Sequence, residues 1–137
     1  MDPTLRLRRT GTRQGVAGNG RGATVRFGPA DVDGAFTPGE LLAVALAACN
    51  LMSADFPIAR RVGEHVELTG EVTAVKDAAT NRYAEASVRL AVGGADHLDE
   101  QAWQELVAAA ARAVDRACTV GRTVEHDLPH SLTIERS

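Results

Sequence analysis

Aromatic side chains make up only 4% of this 137-residue chain, lysine occurs once and cysteine twice. So few rings argue against a pocket walled by aromatics for bulky ligands. Positive charge is not in excess: the formal net charge is -3 and the sequence pI about 5.8. Such a surface is not built to neutralise phosphates, which argues against a nucleic-acid partner. The densest basic run, Arg6, Arg8 and Arg9, alternates with apolar residues as one face of a strand does. Long hydrophobic runs are missing as well. The most apolar stretch, Leu41 to Ala48 and then Cys49, Asn50, Leu51 and Met52, is too short to span a bilayer, and Ser53 and Asp55 follow it. Met1-Asp2-Pro3-Thr4-Leu5-Arg6 holds no apolar core of a secretion signal. The expectation is a cytoplasmic protein without a membrane partner, whose cysteines face a reducing milieu where a disulfide is more often transient and catalytic than structural.

Hydrophobic residues at 45% and charged residues at 24% are the mix of a soluble globular protein. The length suits a single domain over residues 1–137, with no linker, repeat or low-complexity tract inside it. Arginine outnumbers lysine fourteen to one and alanine is abundant, a bias pointing to a high-GC bacterial source.

Residues 5–10 and 22–27 read as a twisted hairpin or strand pair separated by a stretch carrying Gly11, Gly15, Gly18, Gly20 and Gly22. Those glycines weaken regular structure and let the backbone approach something else closely. Residues 37–54 carry the strongest helix signal. Thr37 suits the N-cap, Pro38 the first helical position and Glu40 the capping-box position, and the leucines and alanines beyond leave almost no polar face. A helix apolar all round is a buried helix, which Pro57 then bends or ends. Residues 65–75 and 84–92 alternate as half-buried strands around a turn at Asp77 to Asn81. Residues 99–117 form a second helix, with Trp103, Leu106, Val107, Ala110 and Val114 at helical spacing, and Leu132-Thr133-Ile134 a last strand. Strands, helix, strands, helix, strand is an α+β order.

The two cysteines admit several readings. Cys49 lies inside the apolar helix, where a cysteine is by base rate a small inert hydrophobe. Cys118 follows the second helix and stands near Arg122. Cys118, His126 and His130 with Cys49 would supply four ligands for zinc, but there is no C-x-x-C pair of the kind structural zinc sites contain, and His126 and His130 flank an exposed-looking Asp127-Leu128-Pro129 turn. A Cys/His nucleophile would need a histidine folded back onto the thiol from one of four polar stretches.

The run Phe36-Thr37-Pro38-Gly39-Glu40-Leu41-Leu42-Ala43-Val44-Ala45-Leu46-Ala47-Ala48-Cys49 resembles the helix motif of the OsmC/Ohr family, which ends at a reactive cysteine. Cys118-Thr119-Val120-Gly121-Arg122-Thr123-Val124 resembles the family's second cysteine motif, and the 69-residue separation is similar too. The resemblance implies an α+β OsmC-like fold: antiparallel sheets packed on a long buried helix carrying Cys49, and a second helix preceding Cys118. It also implies an intertwined homodimer with its active sites near the interface. Carried across, Cys49 attacks a peroxide to become a sulfenic acid, Cys118 resolves it as a disulfide, and an external dithiol restores both thiols without metal, haem or flavin.

Burial alone would make Cys49 inert, and the positive end of its own helix fades within the first turn, so a cation is required. The family supplies an arginine from its N-terminal hairpin, held by a glutamate at the helix start. Arg13, in Thr12-Arg13-Gln14-Gly15, best matches that setting, with Arg21 in reserve. In the Ohr branch the glutamate directly follows the proline, where this chain has Gly39; other OsmC-like members carry it one place later, as Glu40 does. Glu40 and Cys49 stand roughly 13 Å and about half a turn apart on an ideal helix, so Glu40 acts only by holding an arginine, and its capping role explains it equally.

The departure at Gly39 points to the broader OsmC-like group rather than to a strict organic-hydroperoxide-resistance protein. Phe36, Met52 and Phe56, flanking the helix of Cys49, read as an apolar entrance or as ordinary core. The leading expectation is a thiol-dependent, peroxiredoxin-like reductase of organic hydroperoxides and of hydrogen peroxide. Its rivals are a binding module for a small lipid-like molecule and a stress-associated dimer without turnover.

Overall fold

The computed structural model describes residues 4–137; Met1-Asp2-Pro3, on which part of the export reading rests, lies outside them. The architecture is α+β, with the order β1 (Arg6–Gly11), β2 (Gln14–Gly18), β3 (Thr24–Phe27), α1 (Pro38–Val62), β4 (Glu67–Asp77), β5 (Arg82–Gly93), α2 (Glu100–Ala117) and α3 (Thr119–Val124). The chain divides into two compact units, residues 1–44 and 45–137.

In the first unit an antiparallel sheet runs in the order β1-β2-β3. The glycine-rich stretch that the sequence pattern treats as a break contains the middle strand, and Gly15 shows why. A Cβ there would stand 2.4 Å from the Phe27 ring and 2.6 Å from the Arg8 carbonyl oxygen. Only glycine lets the ring of β3 and the backbone of β1 close over β2 at this point. The β1–β2 turn is Thr12-Arg13, with Arg13 in the left-handed region at φ 57.

The capping box appears as the sequence predicts: the Glu40 N–H donates to Thr37 Oγ1 at 3.1 Å, and the Thr37 N–H donates to Glu40 Oε1 at 2.8 Å. Helix α1 then runs 25 residues, past Pro57 to Val62. Proline removes one helical N–H but does not stop a helix whose later turns are packed. Ala54 and Ile58 are fully buried there, and the Arg61 guanidinium donates to the Pro57 carbonyl at 2.9 Å. The whole helix is therefore longer than the stretch used to argue against a bilayer span, and its most apolar part, with mean hydropathy 1.7, is long and apolar enough to cross one by length and composition.

In the single chain only Ala54 and Ile58 of this helix are fully buried. Within the second unit, Ala54, Ile58 and Leu106 form the core, with Val62, Val66, Leu68, Leu90, Val92 and Trp103 packed around them. Burial all round, which its composition predicts, is not met in the single chain: Met52 is 75% and Phe56 67% exposed, so neither is core. Phe56 carries the Arg60 guanidinium 4.4 Å above its ring. Phe36, in the first unit, is exposed as well.

Strands β4 and β5 form one long antiparallel hairpin, Glu67 opposite Gly93 and Asp77 opposite Arg82. Asp77 closes its turn by accepting the Ala79 N–H and the Thr80 hydroxyl. Helix α2 starts at the N-cap Asp99, whose Oδ1 accepts the Ala102 N–H at 2.8 Å. The last strand expected at Leu132-Thr133-Ile134 is not formed: residues 127–137 carry no secondary structure, and Leu132 and Ile134 are 83% and 87% exposed. Alternation supplies strand propensity, but a strand exists only when paired, and among the described residues none pairs with that segment.

Candidate active site

Two elements of the second unit carry the candidate site. Cys49 sits half-buried in the middle of α1, followed at once by Asn50. Cys118 sits where α2 passes into α3, with extended backbone at φ -77 and ψ 97 that ends one helix and begins the next. Its N–H still donates back to the Val114 carbonyl at 3.0 Å. Its sulfur takes the place of an N-cap oxygen for α3, accepting the Gly121 N–H at 3.3 Å, and its S–H donates to Asn50 Oδ1 at 3.2 Å. Cys118 is 1% exposed, and both cysteines are free thiols.

The break at Cys118 also turns the first N–H groups of α3 toward Cys49. The Cys118 S–H and the N–H of Val120 hold the Cys49 thiol below the ordinary thiol value. The N–H groups of Thr119 and Gly121 add to this against the opposing effect of burial. Cys118 is pushed the other way, upward, by burial first and then by Cys49, while the N–H groups of Gly121 and Val120 offset part of the rise. The Cys118 S–H donates to Asn50 Oδ1. The arrangement favours a thiolate at Cys49 and a thiol at Cys118.

These contacts within the second unit differ in kind from the cation expected from the sequence. Because Cys49 lies inside its own helix, the sequence argument looks for a cation; the contacts that lower the Cys49 thiol come from the other cysteine and from peptide N–H groups opening a different helix. Arg13 stands exposed at the tip of the β1–β2 hairpin, and Arg21 lies in the β2–β3 loop, where its N–H donates to Asn19 Oδ1 at 2.8 Å. Glu40 is engaged in its capping box. Among the described residues of that unit neither arginine forms an ion pair with Glu40. Thus Cys49 and Cys118 are brought together in the second unit, whereas Arg13 and Glu40 belong to the first.

Sequence reasoning missed Asn50 and the start of α3. The signal for Asn50 was there, a single amide in an apolar helical run that must find a polar partner. Gly121 had a weaker one; a Cβ at this position would press the Cys118 sulfur at 3.1 Å. His126 and His130 lie in the exposed stretch at and beyond the end of α3, where the His130 ring meets its own neighbour's carbonyl at Leu128. Among the described residues no group of three His, Cys, Asp or Glu side chains is gathered to hold a metal. An apolar groove of about 660 Å³ runs between α1, β5, α2 and α3, lined by Leu46, Asn50, Ala54, Val107 and Val114 and reaching Cys118.

A long helix that sets one half-buried thiol against a buried thiol at the joint of two later helices defines an α+β protein organised around paired cysteines. Residues 29–133 match the family of OsmC-like proteins. An uncharacterized protein of Mycobacterium tuberculosis and one of Mycobacterium bovis are each 44% identical over 123 residues, 88% of this chain and of theirs. The chain therefore belongs to the OsmC-like family. Among solved structures, an OsmC-like protein from Mycoplasma pneumoniae has the same fold with a TM-score of 0.69 at 15% identity, covering 91% of this chain and 88% of that one. The organic hydroperoxide resistance protein OhrB of Bacillus subtilis matches with a TM-score of 0.57 at 21% identity, covering 89% of each chain.

Proposed function

We propose that the protein is a thiol-dependent peroxidase that reduces organic hydroperoxides, and hydrogen peroxide as well, with Cys49 as the attacking and Cys118 as the resolving thiol. The observation that carries the reading is the unequal pair: Cys49 held below the ordinary thiol value beside a buried Cys118 held above it. Only the thiolate is a nucleophile, so the sulfur that ionises more readily is the one that attacks. The likeness of the fold to an organic hydroperoxide resistance protein agrees with this.

The Cys49 thiolate forms an S–O bond as the O–O bond breaks, and the alkoxide takes a proton and leaves as the alcohol. The Cys118 sulfur then attacks the Cys49 sulfenic acid. An S–S bond forms, the S–O bond breaks, and the hydroxyl departs with the Cys118 proton as water. An external dithiol returns two electrons by exchange, a cycle suited to a reducing compartment such as the cytoplasm. Arg13 is proposed as a second, cationic support for the thiolate, with Glu40 as the carboxylate that would hold it.

Treating the reduced protein with one equivalent of cumene hydroperoxide tests the reading. The expected result is rapid loss of both thiols and a single 49–118 bridge by peptide mass spectrometry. Survival of both thiols through many equivalents would end the peroxidase reading and favour a ligand-binding role for the apolar groove.

The working form proposed is a homodimer. Support comes from the exposed apolar residues of α1, Met52 and Phe56, and from the strand-forming but unpaired Leu132 and Ile134. Such surface on one chain marks an interaction site. Light scattering is expected to give twice the chain mass of 14.4 kDa at micromolar concentration. A particle of single-chain mass across that range would refute the dimer.

A further inference from the structure

An amide in an apolar helical run must find a partner or bear the cost of its burial. Asn50 stands in Leu46-Ala47-Ala48-Cys49-Asn50-Leu51-Met52, and its partner is the other cysteine: Oδ1 accepts the Cys118 S–H at 3.2 Å. The Gly121 N–H meets the same sulfur at 3.3 Å. The two contacts ask opposite things of Cys118. A peptide N–H favours the thiolate, while an amide oxygen is satisfied only by the thiol and would turn its lone pairs on a thiolate charge. With Cys118 at 1% exposure, water has almost no surface from which to replace either contact.

We propose that Asn50 is a positioning residue that divides the labour between the two thiols: by accepting the Cys118 S–H it keeps the proton on Cys118, so that Cys49 is the sulfur that ionises. The use of this device in turnover rests on the peroxidase reading. Were Cys118 to ionise first, its charge would oppose ionisation of Cys49, and the more accessible sulfur, that of half-buried Cys49, would keep its proton and be the wrong one for attack. The proton kept on Cys118 is the one that leaves with the hydroxyl as water when the disulfide forms. Asn50 orients that proton and never takes it.

The other ionisable groups about Cys118 are Cys49 from α1, Asp115 from α2, and Arg122 and Glu125 at α3, the last three bordering the groove that reaches its sulfur. Cys49 and Cys118 titrate as a pair, so the effect of Asn50 is read with Cys118 isolated. In reduced Cys49→Ser protein, Cys118 is titrated by thiolate ultraviolet absorbance, with no peroxide present. Adding Asn50→Leu, which keeps the bulk and deletes the acceptor, is expected to lower the Cys118 midpoint by about one pH unit, a hydrogen bond to the neutral form having been lost.

Adding Asn50→Asp instead keeps an oxygen at the same place and adds a charge, and is expected to raise the midpoint. A purely structural Asn50 would lower the melting temperature in both variants and leave both midpoints at the parent value, which would overturn the proposal. Should the leucine variant not fold, the aspartate variant decides alone, a midpoint at or below the parent's overturning the proposal. Failure of this titration is distinguishable from failure of the peroxidase reading, which is judged by bridge formation in the unaltered protein.

Discussion

Replacing Cys49 by serine is expected to lower the second-order rate with cumene hydroperoxide by about 10⁴-fold or more, the scale on which loss of an enzyme's nucleophile acts. Stopped-flow consumption of peroxide by the reduced protein measures it. Cys118→Ser gives a different result. One equivalent of peroxide is still consumed, after which the protein stalls with Cys49 as a sulfenic acid or a more oxidised form, visible as the mass of added oxygen. In the unaltered protein the rate should rise with pH and level off through a midpoint below the ordinary thiol value of about 8.5. The sign follows from the contacts. Hydrogen bonds from Cys118 and from the N–H groups of Val120, Thr119 and Gly121 favour the charged form of Cys49, so the thiolate persists to lower pH than in a free thiol. Cys118→Ala removes the largest of these contributions and should move the midpoint up, whereas serine keeps a donor and should move it less. Equal rates for Cys49→Ser and the parent would remove Cys49 from the chemistry altogether.

Leu106→Ala is expected to cost about 3 kcal/mol of unfolding free energy, within the range of about 2–5 kcal/mol for truncating a fully buried leucine. Leu106 is 1% exposed and joins Ala54 and Ile58 of α1 in the core of the second unit, so the deletion leaves a void among side chains from three elements. Urea unfolding followed by far-UV circular dichroism measures it, with a fall in melting temperature of roughly 10 °C alongside. Val75→Ala on the exposed face of β4, where the side chain is 52% exposed, should change stability by less than about 1 kcal/mol. Similar costs for the two would mean that the core does not lie where α1, the β4–β5 hairpin and α2 meet. The core also bears on the site, because Ala54 and Ile58 anchor the helix that carries Cys49 and Asn50.

The sequence by itself determined the elements whose causes are local. Thr37, Pro38 and Glu40 specify the start of α1 through a capping box that depends only on residues three apart. Alternation and the Asp77 to Asn81 turn specify the β4–β5 hairpin, and Asp99 the start of α2. The spacing of two cysteine motifs was enough to indicate the family. Tertiary structure alone decided three other things. The glycine-rich stretch became a central strand because Phe27 and the Arg8 backbone close over Gly15, a contact between neighbouring strands that the local pattern does not show. The segment at Leu132 to Ile134 stayed unpaired although both sheets have free edges, because propensity alone does not make a strand pair. The polarity of the thiol pair arose because a non-helical Cys118 turns the opening N–H groups of α3 onto a cysteine 69 positions earlier, while its own S–H donates a hydrogen bond to Asn50 Oδ1. A thiol's ionisation responds to dipoles within a few ångströms of the sulfur, and only the folded chain determines which dipoles those are.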